Sequence, residues 1–155
     1  MSVLILGIGN LLLGDEGVGV HAVRSLAQST LPEGVQAVEA GTAFLEVLPL
    51  LESADAIVVV DAMEGGGAPG SVYRVPFDEC KHPELLASLH GFDLSRVLYM
   101  AGNARKPEVV VFGVEPEKIE WGMDLSPVVQ RSVPKLCELI LAEAETLLRK
   151  SVPAK

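Results

Sequence analysis

Val3-Leu4-Ile5-Leu6-Gly7-Ile8-Gly9-Asn10, continuing through Leu11-Leu12-Leu13-Gly14-Asp15-Glu16 to Gly17-Val18-Gly19-Val20, is the stretch whose reading decides the fold. The apolar run Val3 to Ile8 is short for a helix and lacks the alternation of a half-exposed strand. It fits a central parallel strand covered on both faces. Gly7 and Gly9 then permit backbone angles and close approaches that a Cβ forbids. A loop with no other charge carries Asp15 and Glu16 to the start of a helical pattern. Asp15 reads as the helix N-cap, and the helix dipole favours an acid there. Capping needs only one carboxylate, so Glu16 is left for chemistry.

Outward from this stretch, strands and helices alternate. A helix is expected over 17–30, stopped by Pro32-Glu33-Gly34. A strand over Val35 to Val38 ends at Glu39-Ala40-Gly41-Thr42, and Phe44 to Leu51 forms a second helix, kinked or shortened by Pro49. Asp55 to Ala62 is a covered strand stopping at the acid Asp61, and the loop Glu64 to Gly70 leads to a short, alternating edge strand, Ser71 to Val75. Asp93 to Gly102 has helical spacing with Asp93 as cap, Glu108 to Val114 is the last strand, and Ser126-Pro127 opens a terminal helix. Pro134 should kink that helix or mark a restart. The pattern predicts an α/β fold, a three-layer, mostly parallel twisted sheet of about five strands with helices on both faces, the short strand antiparallel at an edge. Residues 1–155 are expected to be a single domain, with no repeat or linker.

Composition removes several classes of function. Of 155 residues, 49% are hydrophobic and only 5% aromatic, which suits a Val, Leu, Ile and Ala core of parallel strands and helices. A formal charge of -9 with no Lys/Arg cluster argues against nucleic acid as a partner. No apolar run reaches the roughly 18 residues of a membrane span, and the start lacks the basic residues of a signal peptide, so a cytoplasmic protein without a membrane partner is expected. Cys80 and Cys137 are far apart, with no CxxC spacing, and read as reduced thiols. With no heptad seam, a monomer is the expectation.

In doubly wound sheets, the loops leaving the carboxyl ends of the strands gather on one rim, and ligands bind where strand order reverses. That places Glu16, after the first strand, and Asp61, ending the third, on neighbouring central strands. Two carboxylates at a partly buried rim repel each other unless a proton or cation is shared, and a divalent metal resolves the conflict. Histidine is the natural third ligand. His21, in the first helix, faces either solvent or core; His82, between Lys81 and Pro83, looks like surface; His90, where the chain returns to the rim, is either a ligand or a structural histidine. Nucleophile chemistry has little support: there is no Gly-x-Ser-x-Gly elbow, and Cys80 sits among acids that disfavour a thiolate. Gly7-x-Gly9 with Glu39 ending the second strand resembles a dinucleotide site, but Asp15 and Glu16 stand where a pyrophosphate would need the helix N-terminus.

Taken in order, Gly7-Ile8-Gly9-Asn10, Asp15-Glu16-Gly17-Val18-Gly19, Asp61-Ala62, Ala68-Pro69-Gly70, Ser88-Leu89-His90, Gly113-Val114-Glu115-Pro116 and Leu125-Ser126-Pro127-Val128 resemble the hydrogenase maturation proteases over nearly the whole chain. These endopeptidases trim the C-terminus of the NiFe hydrogenase large subunit. The resemblance implies that Glu16, Asp61 and His90 are the metal-binding and catalytic positions. It also implies that the metal is nickel, supplied by the substrate precursor, and that the partner is that precursor. Whether Asp61 is ligand, general base or both stays open. Two positions depart from the family pattern. Glu39-Ala40-Gly41-Thr42 stands where the family usually has Asp-Gly-Gly-Thr, and Asp93 falls where a glycine commonly follows the histidine segment. A nickel checkpoint that binds the precursor without cutting it, and a nucleotide-binding module, are the alternative functions.

Overall fold

The computed structural model describes residues 1–42, 44–77 and 107–150. The expected helix at Asp93, together with Cys80, His82 and His90, lies outside the described residues. Five strands, β1 (Val3–Ile8), β2 (Val35–Gly41), β3 (Ala56–Ala62), β4 (Val72–Pro76) and β5 (Glu108–Val114), form one sheet in the order β2-β1-β3-β5-β4. β1 pairs in parallel with both β2 and β3, β3 pairs in parallel with β5, and β4 runs antiparallel along β5 at the edge. This is the expected mostly parallel sheet with one reversed edge strand.

The continuous apolar runs follow from burial on both faces. Every residue of β1 and β3 is buried. Because side chains alternate across a strand, each run supplies two cores. Val3, Ile5, Val58, Val60, Val110 and Phe112 face the helices α1 (Val18–Ala27) and α3 (Pro127–Lys150). Leu4, Leu6, Ile8, Ile57, Val59 and Val111 face the other side, with Val47 and Leu51 of α2 (Phe44–Ser53). Helices therefore cover both faces, making three layers.

Neither proline ends its helix. α3 is one helix of 24 residues that runs through Pro134 without a restart. Pro134 is exposed, while Val133 and Leu136 on either side are buried, so core contacts hold the helix through the missing hydrogen bond. α2 likewise continues past the exposed Pro49 to Ser53. Cys137 is half-buried on α3, and burial pushes its thiol pKa up. Among the described residues no helix is long and apolar enough to cross a membrane.

The absence of side chains brings α1 down onto the sheet. A Cβ on Gly7 would stand 2.5 Å from the Gly19 carbonyl oxygen, and one on Gly19 would collide with the Val60 carbonyl and come within 2.6 Å of the Ile8 oxygen. Gly19→Ala should gain about 1 kcal/mol of helix propensity. Overpacking against backbone, which costs about 1–3 kcal/mol or more, should outweigh that gain. Urea unfolding should show a net loss of stability; an unchanged or raised midpoint would contradict the close packing.

Candidate functional site at the switch point

The chain leaves β1 for β2 on one side and returns to β3 on the other, so strand order reverses between β1 and β3. The crevice at their carboxyl ends is where such folds take ligands. Gly9 leaves β1 at φ 118°, a conformation that L side chains rarely adopt, and donates its N–H to the Gly41 carbonyl at 3.0 Å. A Cβ on Gly9 would collide with the Glu16 carbonyl and stand 3.0 Å from Asp61 Oδ1. Gly9 thus packs between the backbone of Glu16 and the carboxylate of Asp61, the two residues that sequence reasoning selected. Glu16 lies in a single 3-10 turn, Gly14–Gly17, and is 9% exposed; Asp61, the penultimate residue of β3, is fully buried, its Oδ1 accepting the Ala62 N–H at 2.8 Å. His90, the third position, lies outside the described residues.

Asp15 does not cap the helix that follows it. Neither the 3-10 turn nor α1 has a side-chain cap. The carboxylate is fully buried and reaches across to the loop between β5 and α3 instead. It accepts the Glu117 and Lys118 N–H groups at 2.9 Å each, the Ser126 N–H at 2.7 Å and the Ser126 hydroxyl at 2.8 Å. Burial alone would push its carboxyl pKa up, but the hydrogen bonds from Lys118, Ser126 and Glu117 outweigh that and hold it below the ordinary 3.8.

A second buried acid, Glu115, does the same for the loop after β3. Its carboxylate accepts the Gly65 and Gly66 N–H groups at 2.9 and 3.0 Å. Sequence reasoning quoted Glu115 within a motif and gave it no role, although an acid just past the end of a buried strand was the available signal. His21 is partly exposed, and its Nε2 lies 3.0 Å from the Met123 carbonyl, a tie from α1 to the β5–α3 loop. Glu39 forms a two-pronged ion pair with Arg24, at 2.7 and 3.1 Å, which holds its carboxyl below the usual range. That pairing engages the carboxylate that the dinucleotide reading needs for ribose.

The family model for hydrogenase maturation proteases matches residues 20–143. Among curated proteins, HoxM, a hydrogenase expression/formation protein of Azotobacter vinelandii, is 37% identical over 77% of this chain; the chain spans 60% of HoxM's length. The Hydrogenase 2 maturation protease of Escherichia coli is 33% identical, covering 92% of this chain and 90% of that protein. Among solved structures, the E. coli hydrogenase maturating endopeptidase HybD matches with a TM-score of 0.77 and 31% identity over 98% of this chain and 94% of that one. Fold and likeness together define the class, a doubly wound α/β endopeptidase. The chain belongs to the hydrogenase maturation protease family.

The Asp15 network has a direct consequence for stability. Asp15→Asn keeps the shape but replaces a charged acceptor with a group that is half donor. Leaving buried N–H groups poorly paired should cost roughly 2–3 kcal/mol at neutral pH. Because the folded pKa is the depressed one, the wild-type advantage is complete above about pH 4 and lost as pH falls through the folded value. Urea unfolding at pH 7 and at pH 3 should show the gap between the two proteins narrowing; a gap of constant size would contradict the assignment.

Proposed function

We propose that this protein removes a short C-terminal peptide from the nickel-loaded precursor of a NiFe hydrogenase large subunit, recognising the metal in its substrate. The observation that carries the reading is the packing of the Glu16 backbone and the Asp61 carboxylate against Gly9, which puts both acidic residues at the switch-point rim. Two acidic residues at one buried rim would favour a shared cation, and with the imidazole of His90 they would offer a mixed oxygen and nitrogen set suited to a borderline metal. The nickel would be cargo of the precursor, and while held it would polarise the scissile carbonyl or a water.

The chain's own residues would do the rest. Glu16 and Asp61 would supply oxygen donors and His90 a nitrogen donor, fixing the precursor so that one bond lies over the crevice. Asp61 would accept the proton of the attacking water if it serves as general base. The working partner is the large-subunit precursor, met by a cytoplasmic monomer.

The test is incubation with candidate precursors, with and without nickel, followed by mass measurement. Wild type should shorten the nickel-loaded precursor and leave the nickel-free one at full length. Glu16→Gln and His90→Ala should each slow cleavage at least about 100-fold, the upper end of what disturbing a ligand's support already does, with folding intact by circular dichroism. Cleavage that ignores nickel, or a fully active His90→Ala, would overturn the metal-recognition mechanism.

A further inference from the structure

Four large apolar side chains stand out in water beside the crevice. Leu12 is 50% exposed, Ile119 45%, Trp121 81% and Met123 54%. They belong to two loops that lie side by side: Gly122 donates its N–H to the Leu12 carbonyl at 2.9 Å, and Gly14 donates to the Gly122 carbonyl at 2.8 Å. The first of these loops is the one that carries Glu16. Exposed aromatic and Met side chains gathered at one place mark an interaction surface more than a solvated loop does.

The backbone under them is fixed. Asp15 holds Glu117, Lys118 and Ser126, and His21 holds the Met123 carbonyl. A partner meeting these side chains would therefore have little loop entropy to overcome. Beneath Trp121 runs a groove of about 290 Å³ whose lining includes Gly14, Lys118, Glu120 and Asp124. Among the described residues, the exposed charges on the second of these loops are Glu117, Glu120 and Asp124 against Lys118.

We infer that Leu12, Ile119, Trp121 and Met123 form a docking surface for the protein substrate, which meets it with an apolar anchor flanked by Lys or Arg. The inference rests on the proposed function for the identity of the partner, and goes beyond it by naming where and by what chemistry the partner is held. Apolar contact at the Trp121 groove supplies the affinity, and the acidic frame selects a basic approach. Binding there places the precursor's tail against the adjoining Gly9 to Glu16 loop. Docking and chemistry are thus separate parts of one rim.

The variant Ile119→Ser/Trp121→Ser/Met123→Ser removes the surface without touching Glu16, Asp61 or His90. Thermal unfolding should be little changed, since all three side chains are exposed. Steady-state cleavage of the nickel-loaded precursor should show KM raised roughly tenfold or more, as for loss of a central aromatic anchor, with kcat within about twofold. Glu120→Lys/Asp124→Lys should also raise KM, most at low salt. If wild type cleaves and the triple variant keeps the wild-type KM, the docking surface is overturned while the proposed function stands. If wild type cleaves none of the precursors, the proposed function fails first. Sedimentation supplies a third outcome: a wild-type dimer that the triple variant converts to monomer without a change in KM would make a second copy the occupant and overturn the proposal.

Discussion

A single buried carboxylate organises the rim of this protein. Asp15 accepts four hydrogen bonds from a loop more than 100 residues away in sequence. Three of the donors are backbone N–H groups that would need partners in any case, because a buried amide without one is costly. By satisfying them with an ionised acceptor, the chain fixes the β5–α3 loop against the β1–α1 loop. Glu16 is the next residue, so its position at the crevice is set by the same attachment. Glu115 repeats the device for the loop after β3, beside Asp61. Buried acids that hold loops thus surround the two acids assigned to chemistry.

Close packing supplies the other constraint. Gly7 and Gly19 let α1 approach the ends of β1 and β3 backbone to backbone, and Gly9 then has room only for a hydrogen between Glu16 and Asp61. A glycine-rich turn of this kind looks like a phosphate cradle in sequence. Its actual neighbours are a carbonyl and a carboxylate, which would repel a phosphate. The same turn sets the residues Glu16 and Asp61 at one rim, where a cation would offset the repulsion of carboxylates brought together.

Much of the fold was legible because parallel strands announce themselves through uninterrupted apolar runs. Val3 to Ile8 and Glu108 to Val114 match their strands at both ends, and β3 closes at Ala62, one residue past Asp61, as the expected strand did. β2 runs on to Gly41 because pairing with β1 continues across an irregularity at Gly7 and Ile8, which no local pattern records. Asp15 was misread for a related reason. Capping is a local rule, whereas its partners are 102 to 111 residues distant. Pro134 suggested a kink or a restart, and the helix runs on through it without a restart, flanked by buried Val133 and Leu136. In the site, Glu16 and Asp61 followed from topology, while His90 rests on family likeness. The patch around Trp121 carried no periodic signal, since exposed residues are free of the spacing that burial imposes.

The central claim is that the rim acids reach the metal that the substrate brings. Nickel K-edge absorption of the nickel-loaded precursor, recorded alone and with the protein before turnover, tests it most directly. Binding should add oxygen and nitrogen scatterers to the nickel shell, and Asp61→Asn should remove part of that change while the complex still forms. A nickel spectrum identical with and without the bound protein would contradict the account.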